Sequence, residues 1–308
     1  MISKGRHFLI GGLCLALSPL LHAQDDLLAQ LEEEAEEQTR YTIATFKGTK
    51  VVNLQSNEMP AEGVLQYTFM HRFGAFNNDF FYNFLGLDNA QVMLTLDYSP
   101  YDWLNVGLGR TGFLKTYHAY AKYRLLRQSE GEQSSPVSIT GFSAAYYSGQ
   151  RYNDDLPRNT ANRMRYVNEL VIARKFSSDF SMELVPTLVH SNLVEEVSDN
   201  NSVFALGVAG RYKITNMHAI SLEYVHQFNP NQYLDPATNT LKDYNNNLSI
   251  GYVIETGGHV FHLFVSNAQG IAEPYVFAEN RGSWADGDLH FGFNISRVFT
   301  LKKPDKLR

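Results

Sequence analysis

From Gly63 to Thr300 the chain repeats one pattern: runs in which apolar and polar residues alternate, separated by polar or turn-forming stretches. The last run, Asp288 to Thr300 (DLHFGFNISRVFT), shows it most cleanly. Side chains on a strand alternate with period two, so Leu289, Phe291, Phe293 and Ile295 share one face, and His290, Gly292, Asn294 and Ser296 share the other. One face suits lipid and the other water. About twelve such runs fill the chain after Gly63, each near the roughly nine to eleven residues that a tilted transmembrane strand needs.

The first six runs are Gly63 to Gly74, Gln91 to Ser99, Trp103 to Gly112, Thr116 to Arg127, Val137 to Ser148 and Arg163 to Phe176. The others are Phe180 to His190, Ser202 to Lys213, His218 to Phe228, Asn246 to Glu255, His259 to Ala268 and the terminal run. Tyr, Phe, Val, Ile and Thr dominate them, as strands prefer. Most alternate connections are hairpin-like: Pro100 to Asp102, Ser177 to Asp179, Ile214 to Met217 and Gly257-Gly258. The rest are mainly long and polar, such as Ala75 to Ala90, Gly149 to Asn162, Asn229 to Asn245 and Gln269 to Gly287. Phe113 to Lys115 is short where a long loop is due, and Gln128 to Pro136 is longer than a turn.

Short turns alternating with long loops predict an all-β fold, a transmembrane antiparallel up-and-down β-barrel of about 12 strands. The even strand count puts both termini in the periplasm of a Gram-negative bacterium. The expected outward set includes Leu65, Tyr67 and Phe69; Val92, Leu94, Leu96 and Tyr98; and Phe204, Leu206, Val208 and Tyr212. The opposite register supplies the candidate lumen-lining residues Arg72, Asp97, Lys122, Arg124, Arg165, Glu169, Glu183, Arg211 and Glu223, with Asn247, Ser249, Gly207 and Gly251 beside them. Periodicity cannot say which face points outward, since a soluble barrel inverts the assignment. Mid-strand charges of both signs favour a wet lumen over a dry core. Aromatics near run ends, at Phe73, Tyr98, Trp103, Tyr146, Tyr147, Phe176 and Phe228, read as interfacial girdles.

The N-terminus reads as a secretory signal peptide over residues 1–23, with Lys4 and Arg6 before an apolar Phe8 to Leu21 and a Leu21-His22-Ala23 cleavage site. The sole cysteine, Cys14, lies within it, which leaves no disulfide or thiolate site in an exported chain. The formal charge of -6 is concentrated at one end, because Asp25 to Arg40 holds seven of the 32 acids. The nearly neutral remainder argues against nucleic acid. Residues 24–62 are expected as a periplasmic acidic and polar segment, 63–300 as the barrel and 301–308 as a short basic tail. The acidic part reads as a solvated linker or as a helix docking Leu27, Leu28 and Leu31; the polar Thr45 to Met59 reads as a lead-in or extra strand, or as an inward fold that narrows the lumen.

The segments GFNISRVF (Gly292 to Phe299), TFKGTKVVNLQSNEM (Thr45 to Met59), HRFG (His71 to Gly74), YDWLNVGLGR (Tyr101 to Arg110) and SNAQG (Ser266 to Gly270) together resemble an uncharacterised family of outer-membrane β-barrel proteins, known by a domain-of-unknown-function label. The resemblance covers the chain from about residue 41 to its end and implies a Gram-negative outer-membrane barrel. It implies no substrate, cofactor or catalytic set. The terminal strand also resembles the signal read by the barrel-insertion machinery, although Arg297 stands where that signal prefers an apolar residue.

Catalytic constellations are weak. His190-Ser191 superficially resembles an outer-membrane lipid hydrolase, but adjacent strand residues project to opposite faces. Asp154-Asp155 reads as a solvated turn, and His259 and His262 fall on opposite faces, so no metal or cofactor is expected. The expected function is therefore a non-enzymatic barrel that conducts or binds small solutes. The alternatives are a closed barrel acting as scaffold for a periplasmic or surface partner and, remotely, a lipid hydrolase. Outer-membrane lipid and the barrel-insertion machinery are the expected partners.

Overall fold

The computed structural model describes residues 38–76, 81–151, 159–194, 198–235, 237–256 and 259–302. The expected signal peptide, most of the acidic stretch, most of the basic tail and Asp154-Asp155 lie outside them. In chain order the strands begin with β1 (Arg40–Tyr41), β2 (Val64–Ala75), β3 (Gln91–Tyr101), β4 (Leu104–Thr111), β5 (Thr116–Leu126), β6 (Ser129–Glu130), β7 (Ser138–Ser148) and β8 (Met164–Lys175). They continue with β9 (Phe180–Ser191), β10 (Ser202–Lys213), β11 (His218–Gln227), β12 (Gln232–Asp235), β13 (Thr240–Asp243), β14 (Asn247–Thr256), β15 (His259–Ser266) and β16 (His290–Thr300).

Twelve of these close into one antiparallel barrel in the order β2-β3-β4-β5-β7-β8-β9-β10-β11-β14-β15-β16. Each corresponds to one run of the sequence pattern. The seam joins the first and last barrel strands, with Phe293 opposite His71, Ile295 opposite Phe69 and Phe299 opposite Leu65. Closure leaves no unpaired sheet edge, which a lipid-embedded sheet requires. Two short pairings are additional to the twelve: β12 with β13 inside a long loop, and β1 with β6. The β1–β6 pair belongs to a small unit of its own, in which Thr42 donates its amide to Gln128, and Ser129 and Ser135 exchange backbone hydrogen bonds. That pairing accounts for the extra length of Gln128 to Pro136.

The face ambiguity is settled by burial. Leu94, Leu96, Leu108, Phe204, Leu222 and Tyr212 are exposed on the outside, while Gln66, Thr95, Asp97, Lys122, Glu183, Glu223 and Ser249 are buried inside. Leaving a large apolar side chain in water costs about 1.5–3 kcal/mol relative to burying it, so an outward apolar belt requires hydrocarbon around it. Tyr146 departs from the expected girdle: it lies inside the barrel at 1% exposure, hydrogen-bonded to Glu273. Its strand register, inward at Ala144 and Ser148, overrides the resemblance to an interfacial aromatic.

The interior is filled from both ends. Residues 45–60 run inside the barrel, entering at the end that carries the short turns, where Lys175 Nζ donates to Ile43 O at 3.0 Å and Lys47 pairs with Glu255 at 2.6 Å. Thr45 to Met59 therefore lies in the lumen, in the inward fold and not as a lead-in or extra strand. From the opposite end, the connection between β15 and β16 folds inward and carries a short helix, Glu273–Phe277, with all five residues buried. Val276 and Phe277 join an interior apolar cluster with Val167, Val171, Val185, Val189, Val203 and Val225 of β8 to β11. The inward face is thus not uniformly polar. Valines alternate with the charged residues of the same register, and the loop helix packs against them.

Candidate functional site

The segment inside the lumen is a tight hairpin. Lys50 bridges to Gln55, Val51 N donates to Leu54 O at 3.0 Å, and Ser56 N donates to Thr49 O at 3.0 Å. Its tip would leave buried amides without acceptors, and the barrel wall supplies one. Glu223 Oε2 accepts from the amides of Val52 (3.2 Å), Asn53 (2.8 Å) and Leu54 (3.0 Å), while its Oε1 accepts from Asn53 Nδ2 at 2.7 Å. Successive amides converging on one carboxylate form an anion-binding nest. Elsewhere, Asn294 Nδ2 donates to Val52 O at 3.1 Å, and Lys122 Nζ donates to Thr49 O (3.1 Å) and Glu58 O (2.8 Å). Gly207 and Gly251 make room for the tip: a Cβ on them would stand 2.8 Å from Leu54 Cδ1 and 3.0 Å from Val52 Cγ2, respectively.

Hairpin and inward loop meet in mid-barrel. Arg72 of β2 donates to Asn53 Oδ1 of the hairpin and to Ala268 O and Gly270 O of the loop. Glu273 pairs with Lys50 and accepts from Gln55 Nε2 at 2.7 Å and Tyr146 OH at 2.6 Å. The Lys50 ammonium and the hydrogen bonds from Gln55 and Tyr146 thus compensate the buried Glu273 carboxylate.

The candidate lining residues divide by position. Arg72, Asp97, Lys122, Glu169, Glu183, Arg211 and Glu223 are buried in the interior. Lys122 is within electrostatic reach of Glu183, Asp97, Glu58 and Glu169. The Glu169 and Glu183 carboxylates accept no hydrogen bond from any described residue. Arg124 instead braces the short-turn end, where it meets Asp102 at 2.9 Å. Arg165 lies toward the long loops and forms a two-pronged pair with Glu279, Nε to Oε1 at 2.6 Å and Nη2 to Oε2 at 3.1 Å. Sequence reasoning missed Lys50, Asn53, Glu273 and Tyr146, because a period-two pattern identifies strand faces and says nothing of non-strand segments that fold between them. His190 Nδ1 meets Ser202 Oγ of the neighbouring strand at 2.9 Å, and His262 Nδ1 meets the hairpin carbonyl of Val51 at 2.8 Å.

Above the inward loop lies a cavity of about 610 Å³, lined by Arg165, Glu279, Gln269, Asn89, Tyr244 and Arg281 among others. The Arg281 guanidinium stands over the Tyr233 ring at 4.7 Å and over Tyr244 at 5.8 Å. Its floor is the loop that contacts the hairpin. A vestibule of mixed polar and apolar lining thus sits over the filled lumen.

No curated protein matches the chain by sequence. Among solved structures, it is similar to a KdgM porin in complex with disordered oligogalacturonate, at 10% identity and a TM-score of 0.45, covering 77% of this chain and 99% of that one. It is also similar to an outer-membrane channel from Pseudomonas putida F1, at 14% identity and a TM-score of 0.47, covering 79% and 97%. The family model described as a membrane-bound β-barrel domain matches residues 46–299, which takes in the lumenal hairpin together with all twelve barrel strands. The chain belongs to this DUF5777 family of membrane-bound β-barrel domains.

Proposed function

We propose that this outer-membrane barrel is a gated small-solute barrel, closed at rest by its own N-terminal hairpin. The observation that carries the reading is that the hairpin fills the lumen without joining the barrel sheet: among the described residues its one strand-like bridge is to itself, at Lys50 and Gln55. It can leave without breaking a rung of the barrel ladder. Its wall contacts are mostly side-chain hydrogen bonds, each worth about 0.5–1.5 kcal/mol net, or about 1.5–3 kcal/mol where a charge takes part. In this orientation the short-turn end and both chain termini face the periplasm, and the vestibule faces outward. Insertion by the barrel-insertion machinery into lipid belongs to the same reading.

Single-channel conductance tests it. The full chain should be nearly silent, and a variant lacking residues 43–59 should give reproducible steps. Identical currents in the two would overturn the gated reading. The filled lumen favours one other reading, a closed scaffold for a periplasmic or surface partner, which predicts silence from both proteins.

A further inference from the structure

We propose that the vestibule is a binding site for a neutral, polyhydroxylated solute of about one or two sugar rings. The inference names the solute class for the barrel proposed above and rests on that reading. Three features of the lining point the same way.

The first is charge balance. Arg165 is engaged on both prongs by Glu279, and the remaining formal charges of the lining, Arg281 and Asp288, are of opposite sign. A wall balanced in this way offers a fully ionic solute no net attraction that would repay its lost hydration. The second is the kind of polar group presented. Asn89 and Gln269 line the cavity, and their amides make no hydrogen bond with any described residue. A primary amide carries both donors and an acceptor, and so matches vicinal hydroxyls, which also donate and accept. Third, Phe113 also lines the cavity, and a flat apolar ring of this kind packs against the C–H face of a sugar. The volume, about 610 Å³, lies within the range of small-molecule sites.

Equilibrium titration of the full chain, held in a detergent with no sugar headgroup, tests the proposal with maltose, glucuronate and glucosamine as neutral, anionic and cationic probes. Maltose should bind best, and Gln269→Leu and Asn89→Leu should each weaken it about tenfold. Neither side chain makes a hydrogen bond to the hairpin or the barrel wall, and unchanged heat-modifiable mobility would show that each variant is folded. Tighter binding of either charged probe, equal maltose affinity in wild type and variants, or no maltose binding would overturn the assignment. These titrations use the plugged protein, so their outcome is independent of whether the hairpin-deleted barrel conducts.

Discussion

Arg72 and Asn53 are hydrogen-bonded through Nη2 and Oδ1, while the Nη1 of the same guanidinium reaches Gly270 O at 2.6 Å. One wall side chain therefore ties the hairpin to the inward loop. Arg72→Leu strands a buried amide oxygen and two carbonyls, and charge-assisted bonds of this kind are worth about 1.5–3 kcal/mol each. The variant should lose its heat-resistant gel mobility at a lower temperature than the parent chain. An unchanged transition would show that the guanidinium is not a tie.

Glu223 makes a sharper case, because three hairpin amides depend on its carboxylate. Glu223→Ala should cost about 1–3 kcal/mol for each amide left without an acceptor. Glu223→Gln should cost less, since one acceptor oxygen remains. Hydrogen exchange at Val52, Asn53 and Leu54 reads the difference directly: protection should fall in the order parent, Gln, Ala, while the barrel amides stay protected.

Gly207 offers a way to evict the hairpin without cutting it. Gly207→Phe places a ring where Leu54 stands, since a Cβ alone would come within 2.8 Å of Leu54 Cδ1. Strands tolerate Phe well, so the wall should survive. The variant should make the hairpin accessible to limited proteolysis and raise conductance to that of the hairpin-deleted barrel.

Lys50 and Glu273 should be energetically coupled. Each single change, Lys50→Met or Glu273→Gln, leaves a buried group short of its partner, whereas the double change removes both charges together. A double-mutant cycle on thermal unfolding should therefore give a coupling of about 0.5–3 kcal/mol. Strict additivity would mean that hairpin and loop are independent.

The pH dependence of the long loop between β11 and β14 follows from Asp235 in β12. Hydrogen bonds from Lys242, Ala237 and Thr238 hold its carboxyl down at about 2. Because the folded value is depressed, its contribution is fully present above the unfolded value near 3.9 and is lost as pH falls through about 2. The site lies in a surface loop apart from the barrel sheet, so the effect should stay local: amide exchange in residues 232–243 should quicken between about pH 4 and 2, with the barrel unaffected.

The wall was legible in the sequence because alternation is enforced at every strand residue by lipid on one side and the lumen on the other. All twelve runs emerge as strands, and Ser202–Lys213 coincides at both ends. The filling of the lumen was not legible for the opposite reason. Val52, Asn53 and Leu54 form no period against a sheet, and their partners, such as Glu223, lie far away in sequence. A trace was present at Gly207 and Gly251, small residues in an otherwise bulky inward register. The valines of β8 to β11 were a second trace, since an apolar patch inside a wet lumen implies something packed against it. Tyr146 was misassigned because proximity to a strand end was weighed above the face on which it falls.

Asn294 in β16 donates to Val52, 242 residues away in sequence. This contact makes closure of the barrel an event shared by the two ends of the chain. The last strand to be synthesised both seals the seam with β2 and binds the hairpin that precedes β2. Until β16 arrives, the hairpin carbonyl of Val52 lacks its donor and the β2 edge lies open. Contacts of such sequence separation are the slowest to form. Assembly should therefore finish in one late, cooperative step, in which the barrel is sealed already filled.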